Sequence, residues 1–360
     1  MNYVIHLTNR CNLKCKYCYE KKNNNDIEFE NIKNIVNTEI SQESRFVNIN
    51  FYGGEPLLRK DLIIKTIDYI KDRKKETKSE TKFVFGITTN GTLLDKDFIK
   101  YMKNNNFVSV GYSFDGNEKS QNLNRMTIDD KSTFGIVAKN AKLLLEKFNK
   151  AVAMIVVTKN NLEYLQDNIQ FLIKTEFTRI NIQFDYKYDW QDSDIPEIRR
   201  QFEKVAEIYY ENMMKNKDVD ILFISEKIKT YVRNGYNCND ECNFGTKYVN
   251  VGTNGNFYPC MQFVDNEKYI IGNCKEGIDE IKRQNIINKS KKENETCKTC
   301  SIRNRCKHIC PCKNYLVTQN VNVLSPIICE TERMMIDISD KIAERLYKSN
   351  SKLFLKKFYV

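Results

Sequence analysis

Three cysteines near the start of the chain have the spacing of a chelating loop. Cys11, Cys15 and Cys18 form C-x3-C-x2-C. They follow a short apolar run, Tyr3-Val4-Ile5-His6-Leu7, that reads as a strand, and Thr8-Asn9-Arg10 breaks the run. Three thiols are therefore expected on one loop at a strand end. Four thiolates complete the shell of a cubane iron–sulfur cluster. Three leave one iron open for a ligand that is not protein. From position 1 to position 216 these three are the only cysteines; the other ten, from Cys238 to Cys329, fall in a second stretch. There Cys297, Cys300, Cys306, Cys310 and Cys329 spell C-x2-C-x5-C-x3-C-x18-C. Upstream, Cys242, Gly255 and Cys260 spell C-x12-G-x4-C.

Composition narrows the setting. The chain of 360 residues is long enough for a full core, and for one large domain plus a smaller one. Its net charge is +11, with the lysines spread along the chain rather than blocked. That balance reads either as a Lys-, Asn- and Ile-rich background or as a surface suited to an acidic partner such as an acidic peptide. No aromatic-and-basic signature argues for nucleic acid. No apolar run approaches the ~20 residues that span a bilayer, and residues 1–8 lack a signal-peptide pattern. A cytoplasmic protein is expected, with no membrane contact. Thirteen cysteines without export features argue for metal rather than for a disulfide framework, and an odd count cannot pair completely.

The elements that must position these thiols alternate from position 1 to position 216. Strands are expected at 3–7, 47–52, 83–88, 108–114, 151–158 and 179–185. Helical patterns lie between them: Leu162, Leu165, Ile169 and Leu172 share one face, as do Phe134, Val137, Ala141 and Leu144-Leu145. Pro196, after Ser193 and Asp194, marks the first turn of a helix through Met213. Six β-then-α units imply parallel strands and right-handed crossovers, hence an α/β barrel or partial (β/α)6 barrel. Ligands of such a fold sit at the carboxyl ends of the strands, where the three-cysteine loop is. Residues 217–237 read as a bridge and 238–330 as a small cysteine-rich domain. In it, 248–251 and 257–258 flank the turn Thr253-Asn254-Gly255-Asn256 as a β-hairpin. A closing helix is expected at 330–347, with Met335, Ile338, Ile342 and Leu346 on one side, in a C-terminal segment 331–360.

The C-x3-C-x2-C loop, with Tyr17 before its last cysteine, resembles the radical S-adenosylmethionine (SAM) family. A chance cluster or a zinc site is the plainer reading of the three cysteines alone. The resemblance implies a [4Fe-4S] cluster on Cys11, Cys15 and Cys18 whose open iron is chelated by the amino and carboxylate groups of SAM. It further implies reductive cleavage of SAM to a 5′-deoxyadenosyl radical that removes a hydrogen atom from an unactivated C–H bond, with an external one-electron reductant of flavodoxin or ferredoxin type. Gly53-Gly54-Glu55-Pro56, after the second strand, matches the family's GGEP motif, which serves the SAM amino group. Close glycine backbone lets carbonyls reach a ligand, and an ammonium needs acceptors. Ser113-Phe114-Asp115-Gly116 resembles the segment that meets the SAM ribose and carboxylate, which assigns Ser113. Arg125 resembles an arginine that pairs with the SAM carboxylate, for which a guanidinium fork is suited; the alternative is a surface arginine. Thr89-Asn90-Gly91 either lines the same pocket or is an ordinary turn. Val156 and Val157 pack on adenine or are simply core.

The second array resembles the seven-cysteine SPASM extension of radical SAM enzymes, which binds auxiliary [4Fe-4S] clusters, usually two. A zinc ribbon is the alternative, because paired Cys-x2-Cys knuckles also hold tetrahedral zinc. By resemblance Cys238, Cys242, Cys260 and Cys310 hold an inner cluster, and Cys297, Cys300, Cys306 and Cys329 an outer one. Cys274 and Cys312 are left over, either as spare buried thiols or as alternative ligands or substrate contacts. His308 is read as a hydrogen-bonding residue rather than a ligand.

SPASM enzymes of this family mostly modify peptides or proteins. The sulfatase-maturating branch, which makes formylglycine, carries an aspartate directly after the G-x4-C cysteine. Here that position is Met261. The favoured expectation is therefore a thioether or other crosslink in a ribosomally made peptide, with formylglycine formation second. A non-catalytic iron–sulfur or zinc protein in electron transfer or scaffolding is the alternative of another class; the GGEP loop, Ser113 and Arg125 argue against it. No residue is assigned as catalytic. Many such maturases carry an N-terminal leader-binding domain, whereas this chain starts at the first barrel strand. Leader binding is thus expected on another surface, on another protein, or not at all.

Overall fold

Continuous apolar sequence in the first strand predicts burial on both faces, as in the middle of a parallel sheet. The computed structural model describes residues 1–237, 244–290, 294–306 and 310–359, and it places that strand there. In chain order the strands are β1 (Asn2–Thr8), β2 (Phe46–Gly53), β3 (Lys82–Thr89), β4 (Phe107–Ser113), β5 (Val152–Val157), β6 (Arg179–Phe184) and β7 (Asp220–Ile221). Then come β8 (Tyr248–Val251), β9 (Asn256–Tyr258), β10 (Gly272–Asn273) and β11 (Gly277–Ile278). The first six lie where the apolar runs put them, with ends that differ by no more than one position. All pairings from β1 to β7 are parallel and consecutive. The partial α/β barrel is thus the observed architecture.

Two connections were not foreseen. The bridge contributes β7 and the helix Leu222–Val232. The hairpin β8–β9 is antiparallel as expected, but β8 also pairs in parallel with β1, from Asn2 opposite Tyr248 to Ile5 opposite Val251. The sheet therefore runs unbroken as β11-β10-β9-β8-β1-β2-β3-β4-β5-β6-β7. β1 is sandwiched between β2 and β8, so the cysteine loop at its end is held from both sides.

Helices cover the outer face. The helix with Pro196 in its first turn spans Ile195–Met214. Leu165, Ile169 and Leu172 are buried on Leu165–Lys174, while Leu162 sits in the short turn before it. The closing helix spans Pro326–Lys348. It starts ahead of the expected 330, because Pro326 has a preset φ and no N–H to lose at the first helical position. It packs its buried Met334, Met335, Ile338, Ile342 and Leu346 against Ile195–Met214 and Leu222–Val232. One apolar core runs through the parallel strands, Val249, Val251 and Phe257 of the hairpin, and the closing helix.

Candidate active site at the carboxyl ends of the strands

Cys11, Cys15 and Cys18 line one cavity of about 190 Å³ together with Tyr17, Gly53, Gly54, Glu55, Ser113 and Arg125. Residues from four separate segments thus converge at the strand ends, as the barrel geometry requires. Thr89, Asn90 and Val156 also line it. Val157 is fully buried in the core instead.

The glycines of Gly53-Gly54-Glu55-Pro56 serve the cysteine loop before any ligand. A β-carbon on Gly54 would lie 2.2 Å from the Arg10 carbonyl oxygen, and one on Gly53 would lie 2.3 Å from that of Thr8. Gly53 also has φ +122°, a region that side chains disfavour. The close approach allows Gly54 N–H to donate to Thr8 O at 2.8 Å and Glu55 N–H to Arg10 O at 2.9 Å. Glu55 is fully buried. Its carboxylate accepts from Leu57 N at 3.0 Å, Thr89 Oγ1 at 2.7 Å and Asn90 N at 2.8 Å. Burial pushes its pKa up to about 7 against those three bonds. It ties the end of β2 to the end of β3.

Asp115 organises the opposite wall. It accepts from Tyr17 Oη at 2.6 Å and from Val156 N at 3.1 Å. Arg125 lies 3.2 Å from Asp115 Oδ1 and over the Tyr17 ring at 5.1 Å. The arginine is 6% exposed, so it is not the surface residue that sequence left open. Its Nε is the atom that faces Asp115 Oδ1, at an angle too poor for a hydrogen bond. A guanidinium that lines the cavity suits a carboxylate of a bound ligand.

The thiols fit a cluster. Burial pushes Cys11 up to about 11, with smaller pulls in both directions from its neighbours. Burial also raises Cys15, and the nearby Arg125 opposes it. Metal-free thiols of this kind stay protonated and release their protons when metal binds. Three thiols around one cavity leave room for a cluster with an iron open to a ligand that is not protein.

Beside this cavity runs an open groove of about 970 Å³, and Tyr19, Glu20, Tyr186, Lys187, Gln262 and Leu316 line both. The sequence reasoning missed this junction. Tyr19 and Tyr52 share a hydrogen bond between their hydroxyls, and Tyr19 Oη also contacts Met261 Sδ at 3.1 Å. His6 Nδ1 lies 3.5 Å from Glu20 Oε2, and both side chains are at least nine-tenths buried. Glu20 Oε1 and Gln262 Oε1 are buried without a partner among the described residues. The available signal was the Tyr19-Glu20 pair directly after Cys18, and a histidine in an otherwise apolar strand.

The cysteine-rich stretch gathers its thiols in two places. Cys297, Cys300, Cys306 and Cys329 line one cavity of about 130 Å³, the four assigned to the outer cluster. Cys260 and Cys310 pack with Cys312 among Phe244, Phe263, Tyr269 and Tyr315. Cys312 holds Cys310 down by hydrogen bonding, and its own pKa is raised by its bonds to Cys260 and Cys310. Cys274 lies elsewhere, buried in the main core and pushed up to about 12 by burial alone. Among the described residues, Cys312 is beside candidate ligands and Cys274 is not. Cys238, Cys242 and His308 lie outside the described residues.

Comparison with known proteins matches this layout. Residues 5–172 match the Radical SAM superfamily, and residues 242–301 match SPASM, an iron–sulfur cluster-binding domain. An uncharacterised protein of Methanocaldococcus jannaschii is 31% identical over 241 residues, covering 62% of this chain and 81% of that protein. A cysteine-type anaerobic sulfatase-maturating enzyme of Clostridium perfringens (strain 13 / Type A) is 25% identical over 325 residues, 83% of this chain and 85% of that one. Among solved structures, anSMEcpe with bound AdoMet superposes with a TM-score of 0.82 at 22% identity, covering 96% of this chain and 98% of that one. Streptococcus suis SuiB bound to its precursor peptide SuiA gives 0.62 at 18% identity, covering 91% and 75%. The chain belongs to the radical SAM superfamily and carries a SPASM domain, and so works with a [4Fe-4S] cluster, SAM and auxiliary iron–sulfur clusters.

Proposed function

We propose that this chain is a peptide-modifying oxidoreductase that forms a thioether or related crosslink in a ribosomally made peptide, acting in the cytoplasm with a flavodoxin- or ferredoxin-type electron donor. In this reading Cys11, Cys15 and Cys18 ligate the SAM-binding cluster. Glu55 and the Gly53–Gly54 backbone face the SAM amino group, and Ser113 and Arg125 face its ribose and carboxylate. Bound SAM and its cluster supply a radical able to remove a hydrogen atom from a C–H bond. Tyr17 and Asp115 orient Arg125. Cys238, Cys242, Cys260 and Cys310 hold the inner auxiliary cluster, and Cys297, Cys300, Cys306 and Cys329 the outer one. The proposed domains are the core at 1–216, the bridge at 217–237, SPASM at 238–330 and the tail at 331–360.

The observation that carries the peptide reading is the groove that shares a wall with the SAM-side cavity. Its volume of about 970 Å³ reaches the top of the ~300–1,000 Å³ range of small-molecule sites, and it is open along Tyr186 to Asp189 and along Val264 to Lys268. An open trough of that size suits an extended segment. Glu20 and Gln262 line its inner end, where it meets the SAM-side cavity. No helix among the described residues is long and apolar enough to cross a membrane. A second reading, formylglycine formation in a sulfatase, is favoured by the sulfatase-maturating relative that spans 83% of this chain. Against it stands Met261, whose sulfur contacts Tyr19 at 3.1 Å where that branch has an aspartate.

Co-expression with small cysteine-containing peptides, followed by mass spectrometry, decides between them. Loss of two hydrogens with disappearance of a free thiol supports the crosslink. Conversion of a thiol to an aldehyde in a sulfatase peptide supports the second reading and overturns the first.

A further inference from the structure

The outer four-cysteine cavity has a feature that neither the motif nor the proposed reaction uses. Arg333 lines it, and its Nη2 donates to Cys300 Sγ at 3.2 Å. Arg333 stands one helical turn after Cys329 on Pro326–Lys348, and residues four apart on a helix share a face. One helix thus delivers a thiol and a guanidinium to the same cavity, and the guanidinium reaches the sulfur of another candidate ligand. Arg303, which also lines the cavity, adds a second cation. Cys300 and Cys329 are partly exposed and Arg333 is exposed, so this end of the cavity faces solvent.

We propose that Arg333 is a potential-setting residue of the outer auxiliary cluster. This rests on Cys297, Cys300, Cys306 and Cys329 being that cluster's ligands. Four thiolates give a cubane a net negative charge, and taking up one electron adds to it. A cation that donates a hydrogen bond to a ligand sulfur stabilises the reduced form more than the oxidised one. Arg333 therefore raises the potential at which the outer cluster accepts an electron. Outer-sphere partners of metal ligands commonly tune the metal in this way.

The test uses the full chain with Cys11, Cys15 and Cys18 replaced by alanine, reconstituted anaerobically so that only the auxiliary clusters remain. Iron and sulfide are counted, and a dithionite titration is followed by electron paramagnetic resonance. About eight irons are expected per chain. In Arg333→Gln one of the two cluster transitions shifts to lower potential and the other stays. Arg333→Lys keeps the charge and recovers most of the shift. Unmoved transitions in an iron-replete Arg333→Gln protein overturn the proposal. Iron loss in both Arg333→Gln and Arg333→Lys also overturns it, because the arginine is then a folding element. The underlying ligand assignment fails separately: Cys300→Ala would then keep its iron, or the site would hold zinc.

Discussion

Replacing Gly54 by alanine pushes a methyl group into the backbone that carries the cysteine loop. The added carbon would sit 2.2 Å from the Arg10 carbonyl oxygen, 2.6 Å from its carbon and 3.0 Å from Asn9 O. Non-bonded carbon contacts settle near ~3.5–4.0 Å, so the two chains must part by about 1 Å. All three atoms are backbone, and no flexible side chain can turn aside. Parting them weakens the bonds Gly54 N–Thr8 O and Glu55 N–Arg10 O, each worth about 1 kcal/mol net. Overpacking adds about 1–3 kcal/mol, for a total cost of about 3–5 kcal/mol at the site that presents Cys11. The assay is iron content after anaerobic reconstitution, with the thermal midpoint beside it. Gly54→Ala should lose about four irons per chain, keep the auxiliary iron and melt earlier. Gly135→Ala is the control: nothing lies within 4 Å of its added carbon, and in a helix the change is neutral or stabilising by up to ~1 kcal/mol. A Gly54→Ala protein with full iron and an unchanged midpoint would refute the view that this glycine exists to seat the cysteine loop.

Three further outcomes follow from buried groups. Lys227 and Glu332 form an ion pair with side chains 4% and 5% exposed. Lys227→Met should cost about 3 kcal/mol in urea unfolding, and adding Glu332→Leu should recover most of it; a double variant no better than the single one contradicts this. Glu55, with a folded pKa of about 7 against an ordinary value of 4.5, holds its proton longer when folded. Stability of the metal-free chain from this group is therefore full below about pH 4.5 and lost as pH rises towards 7, by roughly 3 kcal/mol. Glu55→Ala should flatten that slope, and an unchanged slope argues against it. Cys274→Ala should keep every iron, because that thiol lies in the apolar core; lost iron would make it a ligand.

The first strand was legible because burial on both faces leaves an apolar run, and the next five because buried apolar residues recur at nearly every second position. The pairing of β8 with β1 was not, since nothing in Tyr248–Val251 names its neighbour. The Gly-Gly-Glu-Pro motif was legible as a site marker, but its physical reason was not. Sequence reasoning pointed the glycines at a ligand and did not see that their missing β-carbons also make room for Thr8 and Arg10. Arg125 was legible only as a candidate; its burial against Asp115 and Tyr17 depends on tertiary contacts. Starting the closing helix at 330 left Cys329 outside it and hid its shared face with Arg333. His6, Glu20 and Gln262 escaped because each is an isolated polar residue in its own segment, and only the fold brings those segments together.

The most direct test of the account is SAM cleavage itself. The anaerobically reconstituted chain, given dithionite and SAM, is predicted to release 5′-deoxyadenosine and methionine in equal amounts. The variant with Cys11, Cys15 and Cys18 replaced by alanine should release none. An iron-replete wild-type chain that produces no 5′-deoxyadenosine would contradict the central claim.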